Sequence, residues 1–106
     1  MEFIETKVFT EEINQLAADS DYKEIQEYLC LFPLAGDVIT GAGGIRKLRW
    51  SAKGHGKRGG MRLIYYYFIR HSQIYMLLAY PKNVKDNLTA EEKKYLKRLV
   101  EDFENG

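Results

Sequence analysis

Arg62, Tyr80 and Lys82, with Lys53, His55 and Lys57, belong to a concentration of cations and aromatics in this sequence that can make a phosphate and base site. An arginine grips phosphate oxygens through a planar fork, and a lysine adds a point charge. A tyrosine stacks on a base or orients a hydroxyl, and a histidine titrates near neutrality. Arg46, Lys47, Arg49 and Arg58 add further cations for a nucleic-acid backbone, and Trp50 adds a ring. A short turn near residues 70 to 72 makes the numbers of facing residues sum to about 142, so Arg62 and Tyr80 should meet across the ladder within a residue or two. A guanidinium, a phenol and loop lysines then share one rim of a sheet. Each residue also has a plainer explanation taken singly: Arg62 as an edge residue snorkelling into solvent, Tyr80 as a half-buried strand tyrosine.

The surrounding charge argues for the collective reading. From Val38 to Lys85 there is no Asp or Glu, yet this interval holds 10 of the 16 Lys and Arg residues. Met1 to Asp37 has 9 acids against 2 bases, and Asp86 to Gly106 has 6 acids against 4 bases. The formal net charge of +1 therefore hides a segregated molecule that attracts polyanions. A solvated basic face is the alternative for such a run standing alone.

Other chemistries lack their residues. Gly41, Gly43 and Gly44 precede a strand, so they read as a turn and not as a phosphate loop opening a helix. In the Gly54 to Gly60 loop Lys57 is followed by Arg58, not by Ser or Thr, and again a strand comes next. His55, His71 and Cys30 make no plausible ligand set for a metal, and no cofactor is expected. Cys30 lies beside the apolar side of a predicted helix, which suggests a core or partly buried thiol. One cysteine cannot form an internal disulfide. The N-terminus lacks a signal-peptide pattern and no apolar run approaches bilayer length, so a cytoplasmic protein without membrane contact is expected.

The elements that must position these residues read as one α+β domain spanning residues 1–106. Phe3, Ile4 and Val8 suggest a short strand. Thr10 followed by Glu11 and Glu12 looks like a helix cap, with Ile13, Leu16 and Ala17 on one face. Ser20 and Asp21 offer a second cap before Tyr22, Ile25, Leu29 and Phe32, and Pro33 ends the pattern. This helical hairpin should pack on a small, mainly antiparallel twisted sheet made from residues 45–51, 61–69 and 73–80. Both faces of the last two strands are apolar or aromatic, so one should meet the hairpin and the other a partner or the last helix. Thr89 and Glu92 form a capping-box pattern ahead of Leu96, Leu99, Val100 and Phe103.

The stretch Gly41–Arg49 (GAGGIRKLR), the loop Lys53–Gly60 (KGHGKRGG) leading into Arg62 and Ile64–Tyr66, and Tyr80 with Lys82 and Asn83 closely resemble the HigB branch of the RelE-like toxins of bacterial toxin–antitoxin pairs. The likeness spans nearly the whole chain. It implies a ribosome-dependent endoribonuclease that cuts messenger RNA in the decoding site by metal-free attack of the 2′-hydroxyl. Carried over, Arg62 holds the scissile phosphate, Tyr80 orients or stacks the nucleotide, and Lys82 lies on the same rim. Lys53 and Lys57 supply charge or a base, and His55 stands where relatives often have a basic residue. Pro81, between Tyr80 and Lys82, departs from the pattern and stiffens the strand exit. The implied partners are the ribosome with its messenger and ribosomal RNA, and a cognate antitoxin of the HigA-like helix-turn-helix kind, through which operator DNA is contacted only indirectly. Two other functions use the same residues: a non-catalytic RNA- or ribosome-binding module, and an inactive homologue that binds an antitoxin.

Overall fold

The structure is a computed structural model and describes residues 1–51, 60–85 and 87–106. The chain opens with strand β1 (Glu2–Glu5) and enters helix α1 (Lys7–Leu16). Thr6, not Thr10, caps this helix, its hydroxyl accepting the Phe9 N–H at 3.0 Å. The start shifts one turn earlier because Phe9 and Ile13, four apart, are the pair that the core buries. Thr10 instead donates to the Glu5 carboxylate. Helix α2 (Asp19–Leu31) starts after Ala18, whose N–H donates to the Asp21 carboxylate at 3.3 Å. Ile25 and Leu29 are buried, whereas Cys30 faces outward and is exposed, contrary to the core or partly buried thiol expected. Phe32 is likewise exposed: the helix has ended before it, so helical spacing no longer sets its direction.

Strands β2 (Asp37–Val38), β3 (Arg46–Trp50), β4 (Met61–Phe68) and β5 (Gln73–Pro81) follow, and helix α3 (Ala90–Asn105) closes the chain. The two-residue β2 is an addition to the strands predicted. The sheet order is β1-β5-β4-β3-β2, with β1 parallel to β5 and the other neighbours antiparallel. Gly41, Gly43 and Gly44 have φ of +76°, +73° and +98°, so the glycine cluster is indeed a turn, between β2 and β3. At Gly36 a Cβ would lie 2.8 Å from the Tyr65 ring. That closeness lets the Gly36 N–H donate to the Tyr65 hydroxyl at 2.9 Å, while the hydroxyl donates to the Pro33 carbonyl at 2.8 Å. The link from α2 to β2 is thus fastened to the central strand. Burial raises the Tyr65 phenol pKa above its ordinary value.

Helices cover both faces. Phe9, Ile13, Ile25 and Leu29 pack on Leu48, Leu63, Tyr65 and Met76 on one side. On the other, Leu96 and Val100 of α3 pack with Ile45, Ile64, Leu77 and Tyr80. The last helix therefore fills the place that the sequence left to a partner or to that helix. Its start is the predicted capping box: Thr89 N–H donates to Glu92 Oε1 at 2.9 Å, and Glu92 N–H to Thr89 Oγ1 at 3.1 Å.

A bulge in β5 sets which face each residue takes. From Phe68↔Gln73 to Tyr65↔Met76 the paired numbers follow one register, and from Ile64↔Leu78 to Met61↔Pro81 they follow another, leaving Leu77 as the extra residue. Ile74 and Met76 face α1 and α2, but beyond the bulge Ala79 takes that side and Tyr80 turns toward α3. With no bulge, Tyr80 would oppose Met61 on the α1 and α2 face. The first turn of α1 satisfies this irregular stretch. Thr6 Oγ1 donates to the Leu77 carbonyl at 2.8 Å, and the Ala79 N–H donates to Glu12 Oε1 at 3.0 Å. Among the described residues no helix is long and apolar enough to cross a membrane.

Candidate nucleic-acid interface

Strand alternation and the bulge together bring Arg49, Arg62 and Tyr80 into one cross-strand row on the α3 face. Arg49 pairs with Arg62 and Arg62 with Tyr80, directly opposite as the hairpin arithmetic anticipated. Lys47, opposite Ile64, lies on the same face two residues along β3. Arg46 does not join them. It falls on the α1 and α2 face, where its guanidinium donates to the Leu34 and Gly36 carbonyls at 3.1 and 2.8 Å, holding the α2–β2 link. Trp50 also faces that way, edge-on to Tyr28 with ring centroids 5.5 Å apart. Lys82 is exposed just past the paired strand, and its N–H donates to the Gly60 carbonyl at 3.0 Å. Lys53, His55, Lys57 and Arg58 lie outside the described residues.

Arg62 is not at a sheet edge. It sits on the central strand and is 5% exposed, and Tyr80 is 4% exposed, packed with Leu88 and α3. Over the Tyr80 ring lies Lys85, its Nζ 4.9 Å from the centroid in cation–π range. Lys85 is also paired with Glu92, the residue that closes the capping box. Burial pushes the Glu92 carboxyl up, but the hydrogen bond from Lys85 and the Thr89 N–H outweigh it, and its pKa lies below the ordinary value. These contacts join the phenol, a cation and the start of α3 into one unit.

Folding also brings in a carboxylate that the acid-free interval excludes. Asp37, one residue before that interval, stands on β2 beside Lys47, and its Oδ2 accepts from Arg49 NH1 at 2.7 Å. From the far side come Asn87, whose Oδ1 accepts from Lys47 Nζ at 3.1 Å, and Lys93 of α3. None of Asp37, Lys85, Asn87 and Lys93 stood out in the sequence. Only Lys93 left a signal there, because it precedes Leu96 and Val100 by three and seven positions and so shares their inward stripe. The arrangement can do two things chemically. Guanidinium forks and an ammonium can bind phosphate oxygens, and a phenol beside them can position a sugar or base.

Residues 37–105, from β2 through α3, match the family described as the RelE toxin of the RelE / RelB toxin-antitoxin system. Among solved structures, a chain in the crystal structure of the intact E. coli RelBE toxin-antitoxin complex is similar, with a TM-score of 0.57 and 13% sequence identity. That similarity covers 74% of this chain and 92% of the other. At this identity the likeness is one of fold, a mixed α+β sheet with a C-terminal helix.

Proposed function

This chain belongs to the RelE toxin family, and from that premise we propose that it is a ribosome-dependent messenger RNA endoribonuclease of the HigB branch, neutralised by a HigA-like helix-turn-helix antitoxin. The observation that carries the reading is the row of Arg49, Arg62 and Tyr80 on one face of the sheet. A reaction that needs no metal proceeds by attack of the 2′-hydroxyl on the neighbouring phosphate, with departure of the 5′-oxygen. Its transition state gathers negative charge on the phosphoryl oxygens, which the Arg62 guanidinium stabilises while Tyr80 orients the nucleotide. Lys82 adds charge at the strand exit, and Lys53, His55 and Lys57 supply the loop's proton-transfer candidates. A site built from cations and a phenol has little general-base strength of its own, so the ribosome's positioning of the messenger supplies much of the rate.

The near-complete burial of Arg62 and Tyr80 favours a second reading, an inactive homologue that binds an antitoxin or RNA without cutting. Induced expression of wild type, Arg62→Ala and Tyr80→Phe, with growth curves and mapping of messenger 5′ ends, separates the two. The ribonuclease gives growth arrest and codon-phased new ends in wild type, with at least a tenfold loss in each variant. A wild type that neither arrests growth nor produces such ends establishes the second reading, and variants as toxic as wild type remove Arg62 and Tyr80 from the site.

A further inference from the structure

The face of the sheet turned away from Arg62 and Tyr80 carries an apolar surface where α2 ends. Leu31, Phe32, Leu34 and Val38 are 72%, 55%, 54% and 56% exposed, a grouping that scattered surface apolar residues do not explain. Tyr28, Phe32, Pro33, Leu34 and Ala35 line a hollow of about 450 Å³ there. Val38 belongs to the same surface, because it pairs with Arg46, whose guanidinium reaches the Leu34 and Gly36 carbonyls on this face. We propose that this surface docks an extended apolar segment of a protein partner, flanked by Lys or Arg, which adds to the sheet alongside β2. The proposal is independent of the ribonuclease reading, since the row of Arg49, Arg62 and Tyr80 lies on the α3 face.

The sheet edge gives the segment its conformation. β2 is the outermost strand, and the Ile39 N–H donates to the Ile45 carbonyl at 2.9 Å. In an antiparallel ladder the next pair, Val38 with Arg46, is then the one without mutual hydrogen bonds, so the Val38 N–H and C=O point away from β3. An extended chain laid along this edge satisfies both groups and sets an alternate side chain into the hollow beside Leu34. The charge around the hollow gives the segment its sign. Glu24, Tyr28 and Leu31 follow one another at spacings of four and three on α2, and Glu27 lies four before Leu31, so two carboxylates border the apolar stripe. Glu24 and Glu27 are exposed and hold no ion pair among the described residues. The negative end of the α2 dipole adds to them, because the last turn carries no base. Lys23, five residues before Tyr28, lies on the other side of the helix. Arg46 is engaged by the two carbonyls it holds. Cations on the incoming segment answer this field, whereas a second copy would set the same acids against each other and a nucleic acid would bring phosphates to carboxylates.

The test is an NMR titration of the full-length protein with a blocked heptapeptide of alternating Lys and Val with a central Leu, beside a control peptide in which every Lys is replaced by Glu. The basic peptide should shift the amides of Tyr28, Leu34, Ala35 and Val38, which saturate together. Leu34→Asp, at an exposed position that leaves the rest of the spectrum unchanged, should weaken binding about tenfold. The double variant Glu24→Gln and Glu27→Gln should weaken it roughly threefold and lower its salt dependence. No shift at these amides, equal binding of the acidic peptide, or an unchanged Kd in both variants overturns the proposal. Two other occupants would overturn it as well: a second copy, seen as a concentration-dependent dimer that Leu34→Asp dissolves, and RNA, seen as the same amides shifting with a uridine oligonucleotide. Messenger 5′ ends in cells should be the same for Leu34→Asp and wild type. Peptide binding in a protein that makes no new ends sinks the ribonuclease reading alone, whereas new ends without peptide binding sink the docking surface alone.

Discussion

Glu92 serves two neighbours: it closes the cap of α3 with Thr89 and it anchors Lys85, the cation stacked over Tyr80. Its carboxyl pKa is held below the ordinary 4.5 although burial pushes the other way. A depressed folded pKa means that the stabilisation is fully present above 4.5 and is lost as the pH falls through the folded value. Wild type should therefore lose thermal stability as the pH falls from the ordinary 4.5 through the lowered folded value more steeply than Glu92→Gln. Melting curves across that range check this, and parallel slopes would show that Glu92 is not held as described. Tyr66 is shifted in the opposite sense. Burial, followed by its hydrogen bond to Glu104, pushes its phenol up to about 12, which ties the far end of α3 to β4 at all physiological pH.

At the level of elements, the bulge at Leu77 and the first turn of α1 operate together. Thr6 caps α1 through the Phe9 N–H and gives its own proton to the Leu77 carbonyl, so one hydroxyl serves the helix and the irregular strand that turns Tyr80 toward Arg62. Thr6→Val keeps the shape and removes both bonds. It should cost about 1–3 kcal/mol, from the lost cap and an unsatisfied carbonyl. Chemical denaturation with an unchanged m-value reads this directly, and a loss below about 0.5 kcal/mol would mean that the bulge stands without Thr6. Elements of this kind divide by how locally they are specified. The α3 capping box, the hairpin of β4 and β5 and the glycine turn were all legible, because each depends on residues a few positions apart. The cap of α1 was misplaced, since its choice between Thr6 and Thr10 turns on which residues the sheet buries. The bulge left no local signature at all: its support comes from Thr6 and Glu12, far away in sequence.

Across the whole molecule, the segregated charge ends as a basic row and groove on the α3 face, with Lys47, Arg49, Arg62 and Lys93 as its cations. If all four engage phosphates, binding of single-stranded RNA should fall with salt on a log–log slope of about −3, each contact contributing roughly −0.7. Fluorescence anisotropy over a salt series measures the slope. A value near zero would exclude phosphate contacts as the source of affinity. The sequence by itself determined the field, the α+β order of elements, the hairpin that brings Arg62 and Tyr80 within a residue or two of each other and the resemblance to a toxin family, because charge, periodicity and turn chemistry are written in neighbouring residues. Only the tertiary structure decided that Arg46 and Trp50 face away from that pair, that Asp37 re-enters a segment otherwise free of acids, that Lys93 and Asn87 complete a groove, and that Arg62 and Tyr80 lie buried under α3. Which face a strand residue takes, and what lies against it, depends on a one-residue bulge and on elements distant in sequence, and neither is encoded within the reach of a local pattern.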